Sequence, residues 1–399
     1  MTRERTPASV DLKGMLAEDV ASAAQREVCV YDRLAEGRDI VLMGAGGLGR
    51  RTLAGLRENG ISPLAFADND TGRQGRSIEG IQVLSPGLAA QRFGTRAAFV
   101  VTIWGAGSPH RYAHSRTQLL SLGCNCVLPF TFLYWKYATT FLPYYLQDLP
   151  SRVLESRHDV VQALELWEDD ASRAEYISQV AFRLTGDFDQ LGQAVGHPQY
   201  FPSDLFDWQP GEVFVDGGAY DGDTVAELSR LHGDRFKHVL AIEPDPDNFL
   251  RLTRRIESLP EAVRDKVRCE RIALGSRETF LGLDARGTAA SSTSSTVQDG
   301  HPSVRAVPLD SLCREAAPTI VKLDIEGAEP DALNGARCTI VEKGPVLAVC
   351  VYHRQSHLWA LPLSIREWRD DYAFFLRPHN EEGWDLVCYA VPRHRLTWQ

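Results

Sequence analysis

The stretch at residues 211–243 constrains the fold of this chain more than any other. An apolar run, EVFVD, leads into the glycine-rich turn VDGGAYDGDT at residues 215–224, and a later apolar run, HVLAIE, ends at Glu243. A strand that enters a glycine turn and a helix, followed by a strand that ends in an acid, is typical of a βαβ unit that binds a nucleotide-like ligand. The Glu243 carboxylate is suited to accept hydrogen bonds from both hydroxyls of a ribose. The sequence therefore predicts a parallel α/β fold with a cofactor site at this turn.

The charge of the turn distinguishes between cofactors. A helix N-terminus that binds a pyrophosphate directs N–H groups at negative charge, so nearby acids weaken that interaction. This turn carries Asp216, Asp221 and Asp223. Three acids suit the positive sulfonium and ammonium groups of S-adenosylmethionine better than a dinucleotide. A plain strand, turn and helix with surface acids is the alternative interpretation.

Five segments carry a resemblance to a known family. In order along the chain they are VDGGAYDGDT, AIEPDPDNF, RIALGS, VPLDSL and VKLDIEGAE. Their order and spacing resemble those of the FkbM family of S-adenosylmethionine-dependent methyltransferases, over about the C-terminal half of the chain. The resemblance implies a class I methyltransferase fold with a seven-stranded, mostly parallel sheet, and O-methylation of sugars or polyketide-type natural products. It does not name the acceptor.

Candidate cofactor contacts follow these motifs. By the resemblance, residues of RIALGS meet the adenine, and an aromatic pair that precedes the glycine turn closes over the methionine end of the cofactor. Simple core packing is the alternative for the aromatic pair. The candidate contacts are Tyr200, Phe201, Asp216, Gly218, Ala219, Gly222, Thr224, Glu243, Pro244, Ile272, Ala273 and Asp324.

Two residues are candidates for acid–base catalysis. Methyl transfer to a hydroxyl is an in-line displacement, and a base or a metal must take or share the proton of the alcohol. The apolar run TIVKLDIEG delivers Asp324 at its end, and PVLAVCVYHR delivers His353. Both residues would also suit a divalent cation, which leaves metal dependence open. Asp324 as a turn cap and His353 as a hydrogen-bonded core residue are the structural alternatives. Lys322 is expected in a structural ion pair with one of the turn acids, and His357 is expected at the surface.

A second glycine motif lies near the start of the chain. The apolar run RDIVLMG leads into Gly44, Gly46 and Gly49 in a GxGxxG pattern, and the next apolar run ends near Asp68. This arrangement is typical of a Rossmann-type nucleotide site and predicts a nucleotide sugar or dinucleotide as ligand. A degenerate scaffold is the alternative, in which the glycines only let a helix pack close to a strand.

The chain is long enough for two domains. We predict an α/β protein with two doubly wound sheets. Its parts are an N-terminal helical segment at residues 1–38, a Rossmann-like domain at 39–130, a helical, aromatic-rich connector at 131–199 and a class I methyltransferase domain at 200–399. Within the connector, the apolar spacing predicts two helices divided near Asp169 and Asp170. The stretch at 287–300, rich in serine and threonine, is expected to be a loop.

Composition bounds the partners and the location. With 53 acidic and 43 basic residues the net charge is −10, which argues against binding to nucleic acid. The richest apolar stretch, at 127–146, is interrupted by two prolines and a lysine, so no membrane span is predicted. The first residues lack the apolar run of a secretory signal, and a cytoplasmic location is expected. The eight cysteines lack zinc-site spacing and are expected to be thiols. A homo-oligomer such as a dimer is also expected.

The sequence thus predicts an S-adenosylmethionine-dependent O-methyltransferase acting on a hydroxyl of a sugar, a glycan precursor or a related natural product. Two alternatives stay open. One is a nicotinamide-dependent oxidoreductase of nucleotide sugars that uses the N-terminal glycine motif. The sequence shows no recognisable catalytic residues of a dehydrogenase, which argues against it. The other is a non-catalytic, nucleotide-binding scaffold, which the joint presence of Asp216, Glu243, Asp324 and His353 disfavours.

Overall fold

The structure is a computed structural model that describes residues 11–106, 111–284, 292–294, 302–313 and 317–397. Over these residues it contains a six-stranded, a seven-stranded and a four-stranded sheet with helices between the strands. The predicted α/β class with two doubly wound sheets is confirmed.

The first sheet is built from the N-terminal region, residues 11–146, after two helices, α1 (Leu12–Leu16) and α2 (Val20–Ala35). Its strands are β1 (Asp39–Met43), β2 (Ala65–Ala67), β3 (Ser77–Ile78), β4 (Ile81–Leu84), β5 (Ala97–Val101) and β6 (Cys126–Pro129). Their order is β3-β4-β2-β1-β5-β6, and only β3 runs antiparallel to its neighbour. The helices between them are α3 (Gly47–Glu58), α4 (Pro86–Phe93) and α5 (Tyr112–Ser121). The central strands read as continuous apolar runs because helices cover both faces.

Helices join the first sheet to the second. They are α6 (Phe130–Lys136), α7 (Ala138–Phe141), α8 (Pro150–Glu155), α9 (Arg157–Leu164) and α10 (Asp170–Thr185), followed by a 3₁₀ turn at Phe188–Gln190. The predicted division near Asp169 is present, because the Asp169 carboxylate accepts a hydrogen bond from the Ser172 N–H and caps α10. No helix in the described part of the chain is long and apolar enough to cross a membrane.

The second sheet has seven strands. They are β7 (Val213–Gly217), β8 (His238–Ile242), β9 (Val267–Glu270), β14 (Ile320–Leu323), β15 (Val346–Cys350), β16 (Tyr372–Pro378) and β17 (Leu386–Pro392). Their order is β16-β17-β15-β14-β7-β8-β9, and β17 alone is antiparallel to its neighbours. The helices around it are α11 (Asp223–His232), α12 (Pro246–Glu257), α13 (Glu261–Arg264), α14 (Leu309–Leu312), α15 (Glu329–Gly335), α16 (Arg337–Lys343) and α17 (His357–Trp368), with a 3₁₀ turn at Arg393–Arg395. The seven-stranded, mostly parallel sheet expected from the resemblance is therefore present.

A small third sheet was not predicted. It contains β10 (Ala273–Leu274), β11 (Thr279–Asp284), β12 (Ser292–Ser294) and β13 (Ser303–Val307), in the order β10-β13-β11-β12. Strand β12 pairs antiparallel with β11, so the prediction of a loop at 287–300 was wrong for residues 292–294. The rest of that stretch lies outside the described residues. An edge strand is held by backbone hydrogen bonds, which a polar, low-complexity segment supplies as well as an apolar one.

Candidate active site

A cavity of about 400 Å³ lies at the carboxyl ends of β7, β8 and β14. The strand order reverses between β7 and β14, and ligands of doubly wound sheets bind at such switch points. The volume lies within the range of small-molecule and cofactor pockets. The predicted site residues that line this cavity are Tyr200, Gly218, Thr224, Glu243, Pro244, Ile272, Ala273 and Asp324.

The other predicted site residues lie outside the wall of this cavity, and Phe201 is one of them. Its ring packs 5.8 Å from the Trp208 ring and 5.9 Å from the Phe214 ring. Phe201 therefore follows the core-packing alternative, whereas its neighbour Tyr200 reaches the cavity. The remaining predicted residues outside the wall are Asp216, Ala219, Gly222 and His353.

Asp216 forms a buried ion pair beneath the glycine turn. Its carboxylate lies 2.9 Å from the Lys322 ammonium, and both side chains are almost fully buried. Lys322 also donates a hydrogen bond to the main-chain oxygen of Gly218 at 2.6 Å. Burial disfavours the charged ammonium, but the carboxylates of Asp216 and Asp324 raise the pKa of Lys322 above its ordinary value. The ion pair expected for Lys322 is thus present, and Asp216 supports the turn from below.

Gly218 lets the turn approach the end of β14. Its φ is +80°, and a Cβ at this position would lie 1.9 Å from the main-chain oxygen of Asp324. A non-glycine residue would suffer both a left-handed backbone and a backbone clash. The close approach brings the glycine turn at residues 215–224 and Asp324 into one wall of the cavity.

Glu243 is held by the backbone on both carboxylate oxygens. Oε2 accepts a hydrogen bond from the Tyr220 N–H at 2.9 Å, and Oε1 accepts one from the Asp245 N–H at 2.9 Å. Burial raises the pKa of Glu243 to about 7, although these hydrogen bonds oppose the shift. Oε1 also accepts a hydrogen bond from the Asn248 side chain at 3.4 Å, so the remaining accepting capacity lies mainly on Oε2. The side chain is therefore fixed in position at the end of β8, as a residue that binds a ribose diol requires.

Asp324 lies among hydroxyl donors and one imidazole. Oδ2 accepts a hydrogen bond from the Tyr200 hydroxyl at 2.7 Å, and Oδ1 accepts one from the Tyr352 hydroxyl at 3.3 Å. Nε2 of His353 lies 3.3 Å from Oδ1. The carboxylate that the sequence singled out is therefore held in one orientation by three side chains from two separate segments, Tyr200 from one and the consecutive residues Tyr352 and His353 from the other.

His353 is buried behind Asp324. Its Nδ1 lies 2.9 Å from the Glu329 carboxylate and its Nε2 lies 3.6 Å from that of Glu326. Burial opposes protonation, but the charge of Glu329 and the contact with Glu326 raise the pKa of His353 well above its usual range. Carboxylates face both ring nitrogens, and this favours the protonated imidazole. A protonated imidazole does not accept a proton, so within the predicted pair Asp324 is the better candidate for the base.

Glu329 is a site residue that the sequence analysis missed. It is fully buried at the start of α15, contacts His353 and lies 3.3 Å from Nδ1 of His357. Its carboxylate also accepts a hydrogen bond from the Ile325 N–H at 2.9 Å. The surface position expected for His357 was wrong, because this buried carboxylate attracts both imidazoles. The only signal in the sequence was an acid in the first turn of a helix, which is ordinarily a solvent-exposed feature.

The metal hypothesis does not fit these contacts. Both ring nitrogens of His353 already face carboxylates, Nδ1 that of Glu329 and Nε2 those of Asp324 and Glu326. In the part of the chain that the structure describes, no group of three or more histidine, cysteine or acidic side chains is arranged to hold a metal ion.

Five residues with strained backbones line the cavity. A positive φ is uncommon for non-glycine residues and costs about 1–3 kcal/mol each. Here φ lies between +47° and +68°. These residues are Tyr145, Tyr200, Tyr220, Glu326 and Asp385. Strain that concentrates at one cavity indicates that the surrounding structure fixes these side chains for a function.

The charged side chains of the cavity wall are predominantly acidic. Among the described residues of this wall, the one cationic side chain is Lys322, which is already paired with Asp216. The acids of the wall are Asp223, Glu243, Asp324, Glu326 and Asp385. This charge favours cationic or neutral ligands and disfavours phosphates.

A second cavity, of about 500 Å³, lies at the N-terminal glycine motif and includes Gly44, Gly46 and Asp68 in its wall. A Cβ on Gly49 would lie 2.0 Å from the main-chain oxygen of Gly44, so Gly49 serves the close packing of α3. The Asp68 carboxylate accepts a hydrogen bond from the Ala45 N–H at 2.7 Å and thereby holds the glycine loop. A Cβ on Gly46 meets no protein atom closer than 3.6 Å. Nucleotide binding in this N-terminal cavity stays a prediction.

Known proteins share this fold and part of this sequence. Residues 216–376 match the family model described as the methyltransferase FkbM domain. Among solved structures, the crystal structure of the methyltransferase FkbM from Methylobacillus flagellatus KT matches with a TM-score of 0.75 and 24% identity, over 95% of this chain and 97% of that chain. The methyltransferase domain of bacterial CtHen1 matches with 12% identity over 45% of this chain and 89% of that chain, but its TM-score of 0.27 is too low to carry an argument. No protein with a curated description matches the sequence. Residues 216–376 therefore belong to the FkbM methyltransferase family.

Proposed function

We propose that the protein transfers a methyl group from S-adenosylmethionine to a hydroxyl of a sugar, a glycan precursor or a related natural product. The observation that carries the proposal is the arrangement of two fixed carboxylates in one cavity. Glu243 stands at the end of β8, where a ribose is bound in this fold, and Asp324 stands at the end of β14. The cavity thus offers a cofactor side and a reacting side.

On the cofactor side, the residues fit S-adenosylmethionine. Glu243 presents a fixed carboxylate for the ribose hydroxyls. Ile272 and Ala273 offer apolar surface for the adenine. Asp223 and the neighbouring acids are complementary to the positive sulfonium and ammonium groups. When bound, the cofactor supplies an electrophilic methyl group.

On the reacting side, we assign proton transfer to Asp324. A hydroxyl becomes a nucleophile when a base within hydrogen-bond reach takes its proton. The hydroxyls of Tyr200 and Tyr352 hold the Asp324 carboxylate in place. His353 acts as a positioning residue, because its charge stabilises the carboxylate while Glu329 fixes the imidazole. This revises the sequence hypothesis, in which His353 shared the acid–base role.

The wall beyond Asp324 supports a neutral, hydroxyl-rich acceptor. Tyr145, Tyr352 and Trp384 present aromatic surface to the cavity, and Asp385 adds a carboxylate. Aromatic faces pack against the apolar faces of sugar rings, and carboxylates accept hydrogen bonds from hydroxyls.

A cytoplasmic location and a homo-oligomeric state stay predictions.

Substitution of Asp324 tests the proposal. The isosteric change Asp324→Asn keeps the shape and removes the base, so methyl transfer should fall by about a hundredfold or more. The assay is transfer of a radiolabelled methyl group from S-adenosylmethionine to a panel of methyl glycosides and glycan precursors. Asp331→Asn, at an exposed position of α15, is the matched control. Unchanged turnover in Asp324→Asn would remove Asp324 from the mechanism.

A further inference from the structure

The loop between β16 and β17, residues 379–385, forms one wall of the methyltransferase cavity and is attached to the N-terminal region. Its residues Trp384 and Asp385 line the cavity. The Trp104 indole N–H donates a hydrogen bond to the main-chain oxygen of Glu382 at 3.1 Å. The Tyr112 N–H donates one to the Glu382 carboxylate. A loop of the seven-stranded sheet is thus held by residues that lie far away in the sequence.

Glu382 caps a helix of the N-terminal region. Helix α5 begins at Tyr112, and the N–H groups of its first turn have no acceptor within the helix. A carboxylate at this end is favoured by both hydrogen bonding and the helix dipole. Arg111, the residue just before α5, forms an ion pair with Glu381. Two neighbouring acids of the loop are therefore engaged by the start of one helix.

Aromatic packing completes the attachment. The Trp384 ring lies 4.4 Å from the Trp104 ring and 4.7 Å from the Tyr145 ring. A Cβ on Gly383 would lie 2.8 Å from the Leu146 side chain, so the loop fits tightly against the end of the N-terminal region. The buried Trp384 Nε1 has no hydrogen-bond partner among the described residues. This N–H group could donate a hydrogen bond to an oxygen of a substrate that binds beside it.

One short segment after β5 reaches both cavities. Thr102, Trp104 and Gly105 line the N-terminal cavity, and Ala106 lines the methyltransferase cavity. Trp104 therefore stands between the two cavities and contacts the loop that forms the wall of the second.

We propose that the N-terminal region is a working part of the methyltransferase site, in which Trp104 and Glu382 are positioning residues for the acceptor wall formed by Trp384 and Asp385. The inference rests on the proposed function for the role of that wall. It predicts that the N-terminal region governs acceptor binding and leaves cofactor binding to residues of the C-terminal sheet.

Trp104→Ala in the full-length chain tests the inference. We expect amide hydrogen exchange across residues 379–386 to become at least tenfold faster, with unchanged exchange across the cofactor-binding segment at 238–248. The dissociation constant of S-adenosylhomocysteine, measured by calorimetry, should stay within twofold of wild type. For any acceptor that wild type methylates, KM should rise at least tenfold with a smaller change in kcat. Trp104→Phe should retain most of the wild-type behaviour, and Leu120→Ala, on the exposed face of α5, is the control.

The possible results are distinguishable. Unchanged exchange in the loop, or equal loss of acceptor and S-adenosylhomocysteine binding, would overturn the inference. Failure of wild type to bind S-adenosylhomocysteine would count against the proposed function, while the exchange measurement would still decide whether Trp104 positions the loop. If Trp104→Ala does not fold, Glu382→Ala replaces it with the same expected results, because it removes the cap of α5 at the same attachment.

Discussion

Protonation of Glu243 should control cofactor affinity near neutral pH. Burial raises the pKa of this carboxyl to about 7. We expect the ionised carboxylate, which accepts hydrogen bonds from both ribose hydroxyls, to bind the cofactor much better than the neutral acid. Because ionisation is lost as the pH falls through the raised pKa, affinity should fall in the same direction. Between about pH 8 and about pH 6 the expected decrease is about tenfold, or about 1.4 kcal/mol.

The same linkage predicts proton release. At pH 7 about half of the Glu243 carboxyls are protonated, so binding of S-adenosylhomocysteine should release about half a proton per site. Calorimetric titrations in buffers of different ionisation enthalpy measure this number directly. Glu243→Gln should bind more weakly at pH 8 and show no pH dependence over this range.

Glu27→Gln is the matched control. Burial also raises the pKa of Glu27, but this residue lies outside the cavity and contacts Ser151. A glutamine can satisfy the same serine, since its amide can accept from the N–H and donate to the hydroxyl. The calorimetric titration of Glu27→Gln with S-adenosylhomocysteine should resemble that of wild type. A flat affinity profile in wild type, with no proton release at pH 7, would refute the role given to Glu243.

Three further predictions concern the turn and the two cavities. Lys322→Met should lower the free energy of unfolding by about 3–5 kcal/mol in chemical denaturation, because it leaves a buried carboxylate unpaired; wild-type stability would show that the ion pair is dispensable. Gly218→Ala should abolish S-adenosylhomocysteine binding because its Cβ would clash with the main-chain oxygen of Asp324, whereas Gly47→Ala, with no atom within 4 Å of its Cβ, should be tolerated; equal behaviour of the two variants would contradict this. UDP-glucose or NAD should bind the N-terminal cavity of wild type, and Gly46→Leu should abolish this binding. Absence of binding in wild type would favour a degenerate scaffold.

The sequence was sufficient to identify residues at strand ends. Glu243 and Asp324 each follow an apolar run of the parallel sheet, and such ends converge on the ligand site. Gly218 could be recognised from the turn pattern, although its close approach to Asp324 is visible only in the structure. These predictions worked because they depend on local patterns and on the rule that parallel strands end at a common edge.

The rest of the site depends on contacts between distant segments. Tyr145 and Trp384 lie in different parts of the chain, and no local pattern indicates that they meet at one cavity. The raised pKa of His353 comes mainly from the buried carboxylate of Glu329, whose burial follows from the packing of α15. Phe201 and Tyr200 are neighbours in sequence, but the positive φ of Tyr200 helps to direct the two rings to different places. Side-chain direction at strained positions is set by tertiary structure, which a sequence pattern does not report.

The most direct test of the account is a calorimetric titration of the full chain with S-adenosylmethionine, run beside NAD, NADP and UDP-glucose. The account predicts that wild type binds S-adenosylmethionine, that Glu243→Ala loses this binding and that Gly46→Leu retains it. A wild-type chain that does not bind S-adenosylmethionine, but binds NAD in a manner that Gly46→Leu abolishes, would contradict the account and favour an oxidoreductase.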